Sequence, residues 1–470
     1  METLPNKQYL FESMPVPKAV AQMCVPGIFG MVVTALYSIA DTYFVGALNS
    51  PTQSAAVSLA AAALYLPATV SSLFGVGTSS LISRKLGEQD CESAKKASAI
   101  GLWHAAVCAL LISAAFFLFS APLTKLLGAD EQTVQPMMEY LFWTMGIGSI
   151  PSVLNTVLSK QVAAEGYANH ASLGTMSGCI LNIVLDPLFI LPQFLNMNAA
   201  GAGLATMLSN STATLYYIVF LMLKGKRLCT NFKPSNLCWD MSLYHDIMAI
   251  GIPSGIQSLT FVVNSAVRNN IISSYGADVV AAYGIAYKTA MIPVSIICGA
   301  SFGVLSLVGY NYSSFNIERM KAVYKYTIKF VMALGIAFFA VIFVFASKIM
   351  CQFIKNEFVI SAGALFLRIS AITLVLMAVD YVCVGIYQAC GNGKYALITA
   401  LSRKAIEIPA MLLLNMIIPP FGMALGEPVA ELVIGVVLYV SVRRYFNSLA
   451  EKVIIQGGKH NGQTRIDRTP

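Results

Sequence analysis

The sequence predicts an all-α polytopic membrane protein. We expect twelve transmembrane helices in two six-helix bundles, related by a pseudo-two-fold axis, around a central cleft. Three observations support this prediction. Only 11% of the 470 residues are charged and 57% are hydrophobic, whereas a soluble domain has about 25% charged residues. Apolar runs of about 20 residues, the length that crosses a bilayer as a helix, follow one another along the chain. Features of the first half also recur in the second half at a nearly constant spacing.

The apolar runs predict helices rather than barrel strands, because barrel strands need polar residues at alternate positions. The approximate cores of the twelve predicted spans are 19–45, 55–82, 99–119, 138–158, 171–191, 200–223, 246–273, 279–308, 325–347, 362–388, 396–418 and 424–442.

Lysine and arginine predict the orientation of these helices. They are concentrated in alternate connections, such as 84–96 and the linker 224–243, whereas the loops on the other side hold only Lys125, Lys348 and Lys355. Connections rich in lysine and arginine face the cytoplasm. We therefore expect a multi-pass protein of the cell (inner, cytoplasmic) membrane with both termini in the cytoplasm. The formal charge of +8 follows from this bias, and we expect no nucleic-acid partner.

An internal repeat predicts the domain organisation. The aligned features are 77–97 with 303–323, Pro26 with Pro253, and Gly166 with Gly391. An even number of helices in each half gives both halves the same orientation and places a substrate path between them. The predicted units are an N-terminal bundle 1–223, a cytoplasmic linker 224–243, a C-terminal bundle 244–446 and a disordered cytoplasmic tail 447–470.

Polar residues inside the apolar runs of the first half predict an ion site. Asn182 and Asp186 are four residues apart in LNIVLDPLFI and share one helix face. Asp41 lies in the outer half of the first helix, with Tyr37 one turn before it, and Thr206 is a further oxygen donor on helix 6. A buried acid is costly in a membrane helix and indicates function. The pair Asp41 and Asp186 could hold a proton or, with Asn182, a Na⁺ ion, because hard cations prefer oxygen ligands.

Each of these residues also has a purely structural interpretation. Asp41 could be an interfacial residue at a helix end, and Asp186 could pair with a neighbouring backbone or amide group. Thr206 could form a hydrogen bond to its own helix, as threonine often does.

The second half carries a different set of buried polar residues. The candidates for substrate binding are Asn264, Arg268, Lys288, Asp380 and Glu407. In one interpretation these charges neutralise one another, Lys288 pairing with Asp380, and Arg403 pairing with Glu407 one turn along the same helix. In the other, Lys288 and Asp380 form a charge switch that responds to the ion in the first half.

Cysteine and histidine provide no catalytic or metal-binding pattern. The ten cysteines contain no C-x-x-C pair and the four histidines lack metal-ligand spacing. We interpret the cysteines as small apolar side chains. No nucleophile elbow or H-E-x-x-H motif occurs. We expect no enzyme activity and no cofactor beyond a coupling ion, Na⁺ or H⁺.

Five segments resemble the MATE (multidrug and toxic compound extrusion) family, and within it the DinF-like branch. They are LYSIADTYFVG, GVGTSSLISRKLGEQDCESAKKA, GCILNIVLDPLFI, GADVVAAYGIAYK and VGYNY. The resemblance spans 14–446. It implies a twelve-helix antiporter and places the family's coupling residues at Asp41, Asn182 and Asp186. The NorM-like branch has an acid in helix 7 that is missing here from 258–270.

The function predicted is secondary active export of organic, cationic, drug-like compounds in exchange for inward Na⁺ or H⁺. We expect a monomer in the lipid bilayer with small organic molecules as its substrates. The alternative is a lipid or lipid-linked oligosaccharide flippase of related fold. A flippase of this kind is expected to carry a cationic ring for pyrophosphate, which the first half lacks.

Overall fold

The computed structural model describes residues 8–48, 50–224 and 228–466, with side chains up to Leu449. All regular structure in these ranges is helical. A π-helical turn, Tyr9–Ser13, precedes the first long helix. The α-helices are α1 (Val16–Gly46), α2 (Pro51–Ala60), α3 (Tyr65–Gly87), α4 (Cys91–Leu126), α5 (Val134–Leu141), α6 (Ser149–Ala164), α7 (Ala168–Ile190), α8 (Asn198–Lys224), α9 (Met241–Ser273), α10 (Ala277–Gly303), α11 (Leu305–Ser313), α12 (Ile317–Cys351), α13 (Glu357–Ala389), α14 (Gly393–Ile417) and α15 (Phe421–Ile466).

Ten segments of the described chain are long and apolar enough to cross a membrane. An eleventh consists of Val134–Ile147 and Ser149–Ala164, which are bent by 49° at their junction. The remaining predicted span, 396–418, corresponds to helix α14. It carries three charged residues within five positions, Arg403, Lys404 and Glu407, and is therefore less apolar than the other predicted spans. The protein is thus an all-helical, multi-pass membrane protein.

The end of the last helix differs from the sequence prediction. The predicted disordered tail begins at residue 447, whereas α15 is described as helical to Ile466. Within the basic connections, Lys7, Lys226 and Arg227 lie outside the described residues.

The aligned segments of the two halves have the same local backbone structure. Gln89 and Phe315 both have positive φ, +60° and +56°. The next residue of each, Asp90 or Asn316, caps a helix by accepting a hydrogen bond from the backbone N–H three residues on, at 3.0 and 3.2 Å. Equivalent turns recurring in the two halves support the predicted internal repeat.

The aligned glycines belong to a second pair of equivalent turns. Gly166 follows α6 with φ of +88°, and Gly391 follows α13 with φ of +76°. Glycine adopts this left-handed conformation without steric cost and commonly ends helices. Each turn redirects the chain into the next long helix, α7 or α14.

The two halves pack most closely at the end that carries the basic connections. A β-carbon added at Gly299 of α10 would lie 2.7 Å from the Gly27 carbonyl oxygen of α1, so no larger residue fits. Farther along, the contact is made by large side chains, Tyr65 of α3 and Phe261 of α9, with ring centroids 5.7 Å apart. Gly284 of α10 has no atom within 4 Å of an added β-carbon. The halves therefore diverge away from the basic end.

The N-terminal turn bridges the two halves at the basic end. Phe11 is 2% exposed and stacks on Tyr310 of the second half at 4.7 Å. It also packs against Gly166 of the first half, where an added β-carbon would lie 3.1 Å from its ring. Arg319 donates from Nε to the Phe11 carbonyl at 2.6 Å and from its NH2 nitrogen to the carbonyls of Leu10 and Met14 at 3.2 and 2.7 Å.

The linker between the halves is attached to the first half. A disulfide joins Cys91 at the start of α4 to Cys229. The Ser98 hydroxyl donates to the Asn231 carbonyl at 3.2 Å, and the Trp103 indole donates to the Phe232 carbonyl at 3.2 Å. The interpretation of the cysteines as small apolar side chains is wrong for this pair.

Candidate functional site

Asn182 and Asp186 lie on one buried face of α7, opposite α8. Their exposed fractions are 1% and 0%. In the amide orientation that satisfies both neighbours, Asn182 donates to Asp186 Oδ2 at 2.9 Å and accepts from the Thr206 backbone N–H at 3.2 Å. Asn182 therefore contacts both Asp186 and Thr206, and its amide holds the Asp186 carboxylate in place.

A close helix approach brings these side chains together. A β-carbon added at Gly178 of α7 would lie 2.8 Å from the Ser209 carbonyl oxygen of α8. Glycine at this contact lets α7 and α8 approach closely enough for Asn182 to reach Thr206 one turn farther out. Pro187 lies inside the last turn of α7 and cannot supply a backbone N–H there.

Asp41 and Tyr37 of α1 lie beside these three residues. Both side chains interact electrostatically with Asp186, and the Tyr37 hydroxyl lies next to the Thr206 side chain. Asp41 Oδ1 is buried without a hydrogen-bond partner among the described residues. The five residues predicted from the sequence thus form one cluster, hereafter the first-half cluster: Tyr37, Asp41, Asn182, Asp186 and Thr206.

Tyr140 of α5 joins this cluster and was not predicted. It is 4% exposed and interacts electrostatically with Asp41, Tyr37 and Asp186. Its sequence context, MMEYLFW, is that of an ordinary apolar helix. A tyrosine among many aromatic residues has no distinguishing sequence signal.

The potential ion ligands of the first-half cluster are oxygen atoms, and the cluster contains no cysteine or histidine. Two carboxylates, an amide and hydroxyl groups suit a proton or a hard cation such as Na⁺. No group of three or more histidine, cysteine, aspartate and glutamate residues within the described ranges could hold a metal ion. Any Na⁺ bound here would therefore depend on the amide and hydroxyl oxygens in addition to Asp41 and Asp186.

Both ion pairs predicted in the second half are wrong. Arg403 pairs with Asp380 of α13 and, at 3.3 Å, with Glu431 of α15, not with Glu407. Asp380 and Glu431 are 0% and 2% exposed. Although Arg403 and Glu407 are one turn apart, the long arginine side chain extends across the interface to other helices. Lys288 makes no ion pair with Asp380 among the described residues, and its side chain is exposed.

Glu407 is instead the centre of a second group of contacts. It accepts hydrogen bonds from Lys404 at 2.5 Å, Asn264 at 2.5 Å and Arg268 at 3.1 Å. Arg268 also pairs with Glu427 of α15 at 3.4 Å. Asn264, Arg268 and Glu407, three of the predicted second-half candidates, therefore lie together.

Comparison with known proteins gives the family. The family model described as MatE matches residues 26–188 and 253–413, which together make up more than half of the chain. The chain belongs to the MatE family. The two matched stretches begin at Pro26 and Pro253, the prolines that the internal repeat aligns.

The chain is similar over nearly its whole length to proteins of this family. It is 28% identical over 423 residues to the multidrug export protein MepA of Staphylococcus aureus (strain NCTC 8325 / PS 47), which covers 90% of this chain and 92% of MepA. A solved structure of MATE in complex with MaL6 matches with a TM-score of 0.89 and 26% identity, covering 96% of this chain and all of that one. An outward-facing multidrug resistance MATE family transporter of the MOP superfamily matches with a TM-score of 0.86 and 25% identity over the same shares.

These findings confirm the predicted family, and with it the prediction that the chain is not an enzyme. MATE proteins are ion-coupled membrane transporters. The assignment to the DinF-like branch stays a prediction.

Proposed function

We propose that this MATE transporter is a secondary active antiporter that exports organic, cationic, drug-like compounds in exchange for inward Na⁺ or H⁺. The observation that carries the proposal is the first-half cluster, in which Asp41 of α1 interacts with the buried Asp186 of α7. The similarity to MepA, a multidrug export protein, supports the choice of cargo.

The proposed architecture is twelve transmembrane helices in two six-helix bundles about a pseudo-two-fold axis, acting as a monomer. The equivalent turns at Asp90 and Asn316 support this symmetry. Both termini lie in the cytoplasm, because the basic connections gather at one end. With that orientation, the close contacts at Gly27 and Gly299 seal the cytoplasmic side and the cleft opens outward.

Coupling follows from the opposite preferences of ion and substrate for the two conformations. In the outward-open state Asp41 and Asp186 take up the ion, which neutralises their charge and favours repacking of α1 against α7. The organic cation then loses its attraction to the cleft and leaves. After the change to the inward-open state the ion dissociates and the carboxylates attract a new cation. Each ligand shifts the equilibrium only by its difference in affinity for the two states.

The second-half residues Asn264, Arg268, Lys288, Asp380 and Glu407 are proposed to shape the substrate side of the cleft. Asp380 forms an ion pair with Arg403, so the proposed role of Asp380 is to hold α13 against α14. Lys288 is exposed and is free to face a substrate.

The test is export of ethidium from proteoliposomes under a Na⁺ gradient and a pH gradient, each imposed separately. Wild type is compared with Asp41→Asn, and with Asp278→Asn as a matched control at an exposed position in the first turn of α10. We expect export under one gradient only, lost in Asp41→Asn and retained in Asp278→Asn.

Export that survives Asp41→Asn would contradict an ion site in the first half. Flipping of a fluorescent lipid in the same vesicles, without ethidium export under either gradient, would contradict the antiporter and favour the flippase.

A further inference from the structure

The groups around Arg268 are those expected in a binding site for an organic cation. Its NH2 nitrogen lies 3.1 Å from Glu407 Oε1 and 3.4 Å from Glu427 Oε2. Its NH1 nitrogen donates to the Tyr283 hydroxyl at 2.9 Å. The guanidinium carbon lies 5.9 Å from the centroid of the Tyr287 ring. Two carboxylates and an aromatic face surround one weakly hydrated cation.

The same groups would attract an external organic cation. Carboxylates supply the charge attraction, and aromatic faces attract ammonium, guanidinium and other large cations. Guanidinium resembles such cations because its charge is delocalised and weakly hydrated. Arg268 is therefore a tethered equivalent of the proposed substrate.

This site borders the space between the two halves. Phe261, Asn264 and Arg268 follow one another at spacings of three and four and share one face of α9. On that face Phe261 contacts Tyr65 of the first half. The Glu427 side chain is 38% exposed, whereas Glu407 is 2% exposed. Glu427 is thus the more accessible of the two carboxylates.

Arg268 is not the sole partner of Glu407. Glu407 also accepts hydrogen bonds from Lys404 and Asn264, and the exposed fraction of Glu427 leaves it accessible to water. Asn264 Oδ1, on a residue 4% exposed, has no hydrogen-bond partner among the described residues. An acceptor for a further N–H group is therefore already present beside the carboxylates.

We propose that Arg268 is a built-in competitor of the exported cation for Glu427 and Glu407. When the cleft is open on the side opposite the basic connections, Arg268 occupies the carboxylates and favours release of the substrate. The exchange replaces one positive charge by another, so the local charge stays constant. This inference rests on the proposed export of organic cations.

The experiment compares two probes of the same shape and opposite charge, tetraphenylphosphonium and tetraphenylborate. Equilibrium binding of each is measured to purified full-length protein in lipid nanodiscs. The variants are Arg268→Gln, Arg268→Lys, Glu427→Gln and the double variant Arg268→Gln/Glu427→Gln. Size-exclusion profiles and thermal unfolding midpoints confirm that each variant is folded.

Removal of the competitor should tighten phosphonium binding. We expect Arg268→Gln to lower the phosphonium Kd by about three- to tenfold, the range of an electrostatic contribution near 1 kcal/mol. Arg268→Lys, which keeps the charge, should stay near wild type. Glu427→Gln should weaken binding, and in its background the gain from Arg268→Gln should shrink or disappear. Borate binding should be unchanged in Arg268→Gln.

Unchanged or weaker phosphonium binding in folded Arg268→Gln would overturn the inference. Loss of borate binding in that variant would show that Arg268 binds anions instead. If wild type binds phosphonium and exports ethidium but Arg268→Gln gains nothing, only this inference fails. If wild type neither binds phosphonium nor exports ethidium, the proposed export of cations fails with it.

Discussion

The Asn182 amide donates to Asp186 one turn farther along α7, and it accepts from the backbone of Thr206 on α8. One side chain therefore holds the buried carboxylate and links the two helices that flank it. Asp41 approaches from α1 and has a buried oxygen with no hydrogen-bond partner among the described residues. The orientation of Asp186 is therefore set by Asn182, whereas no hydrogen bond from the described residues fixes Asp41 Oδ1.

Replacing Asn182 by alanine should weaken ion coupling more than it weakens the fold. Asp186 would lose its donor, so the ion concentration for half-maximal export should rise by about tenfold, equivalent to roughly 1.4 kcal/mol. The measurement is ethidium export as a function of Na⁺ concentration or pH. Asn415→Ala is the matched control, because it removes another amide, bonded to Tyr275 at 2.8 Å in the second half. Equal shifts in both variants would contradict a positioning role for Asn182.

Replacing Arg403 by alanine should strongly destabilise the protein. Asp380 and Glu431 would be left buried without their cation, which typically costs about 3–5 kcal/mol. The measurement is the free energy of unfolding in detergent. Arg368→Ala removes a partly exposed guanidinium that contacts the Phe343 carbonyl at 3.2 Å and lies 5.8 Å from the Phe343 ring centroid, and it should cost less than about 0.5 kcal/mol.

A second set of substitutions separates the Arg403 charge from its packing. Adding Asp380→Asn and Glu431→Gln to Arg403→Ala should recover much of the loss, because no buried charge is then unpaired. Failure of this rescue would show that packing, rather than charge, accounts for the effect.

Substituting valine for Gly299 should prevent closure at the basic end. The new side chain would meet the Gly27 backbone, with which an added β-carbon is in contact at 2.7 Å. We expect export to fall by at least about tenfold, since overpacking costs about 1–3 kcal/mol. The buried Cys24 beside this contact should become reactive to a thiol reagent, as read from its peptide by mass spectrometry. Gly284→Val, at a position with open space, should change neither export nor the reactivity of Cys24. If Gly299→Val also changed neither, the contact between Gly299 and Gly27 would not be required.

Replacing Arg319 by alanine should release the N-terminal turn from the basic face. Three carbonyl contacts, to Leu10, Phe11 and Met14, are lost. Hydrogen exchange of residues 9–14 should accelerate by at least about tenfold, since each such bond contributes roughly 1 kcal/mol. Lys321→Ala, which removes only a surface pair with Glu318 at 3.3 Å, should leave exchange unchanged. Unaltered protection in Arg319→Ala would mean that the Phe11 and Tyr310 rings hold the turn without it.

The first-half cluster could be predicted because its residues stand out from their surroundings. Asp41 and Asp186 are isolated acids within apolar runs, and Asn182 is one turn from Asp186 on the same helix. Charge scarcity and helical spacing are local properties of a sequence. The repeat likewise predicts equivalent turns, and Gly166 and Gly391 adopt the same left-handed conformation.

The partners in the second half could not be predicted in this way. Spacing along one helix suggested that Arg403 pairs with Glu407, but the pairing depends on which helices pack together. Arg403 extends to α13 and α15, and Lys404 takes its place at Glu407. The disulfide between Cys91 and Cys229 spans 138 residues and has no spacing pattern. Tyr140 reaches the first-half cluster only because α5 packs against α8.

The attachment of the linker limits how far the halves can separate. The segment through Phe232 is held on α4 by the Cys91–Cys229 disulfide and the Trp103 indole. Pro234–Asn236 also packs against α4, so the length left before α9 is 237–240, which spans at most about 13 Å at roughly 3.3 Å per residue. The connection between the halves is therefore short, and it sets an upper limit on how far the two halves can separate at the end that carries the basic connections.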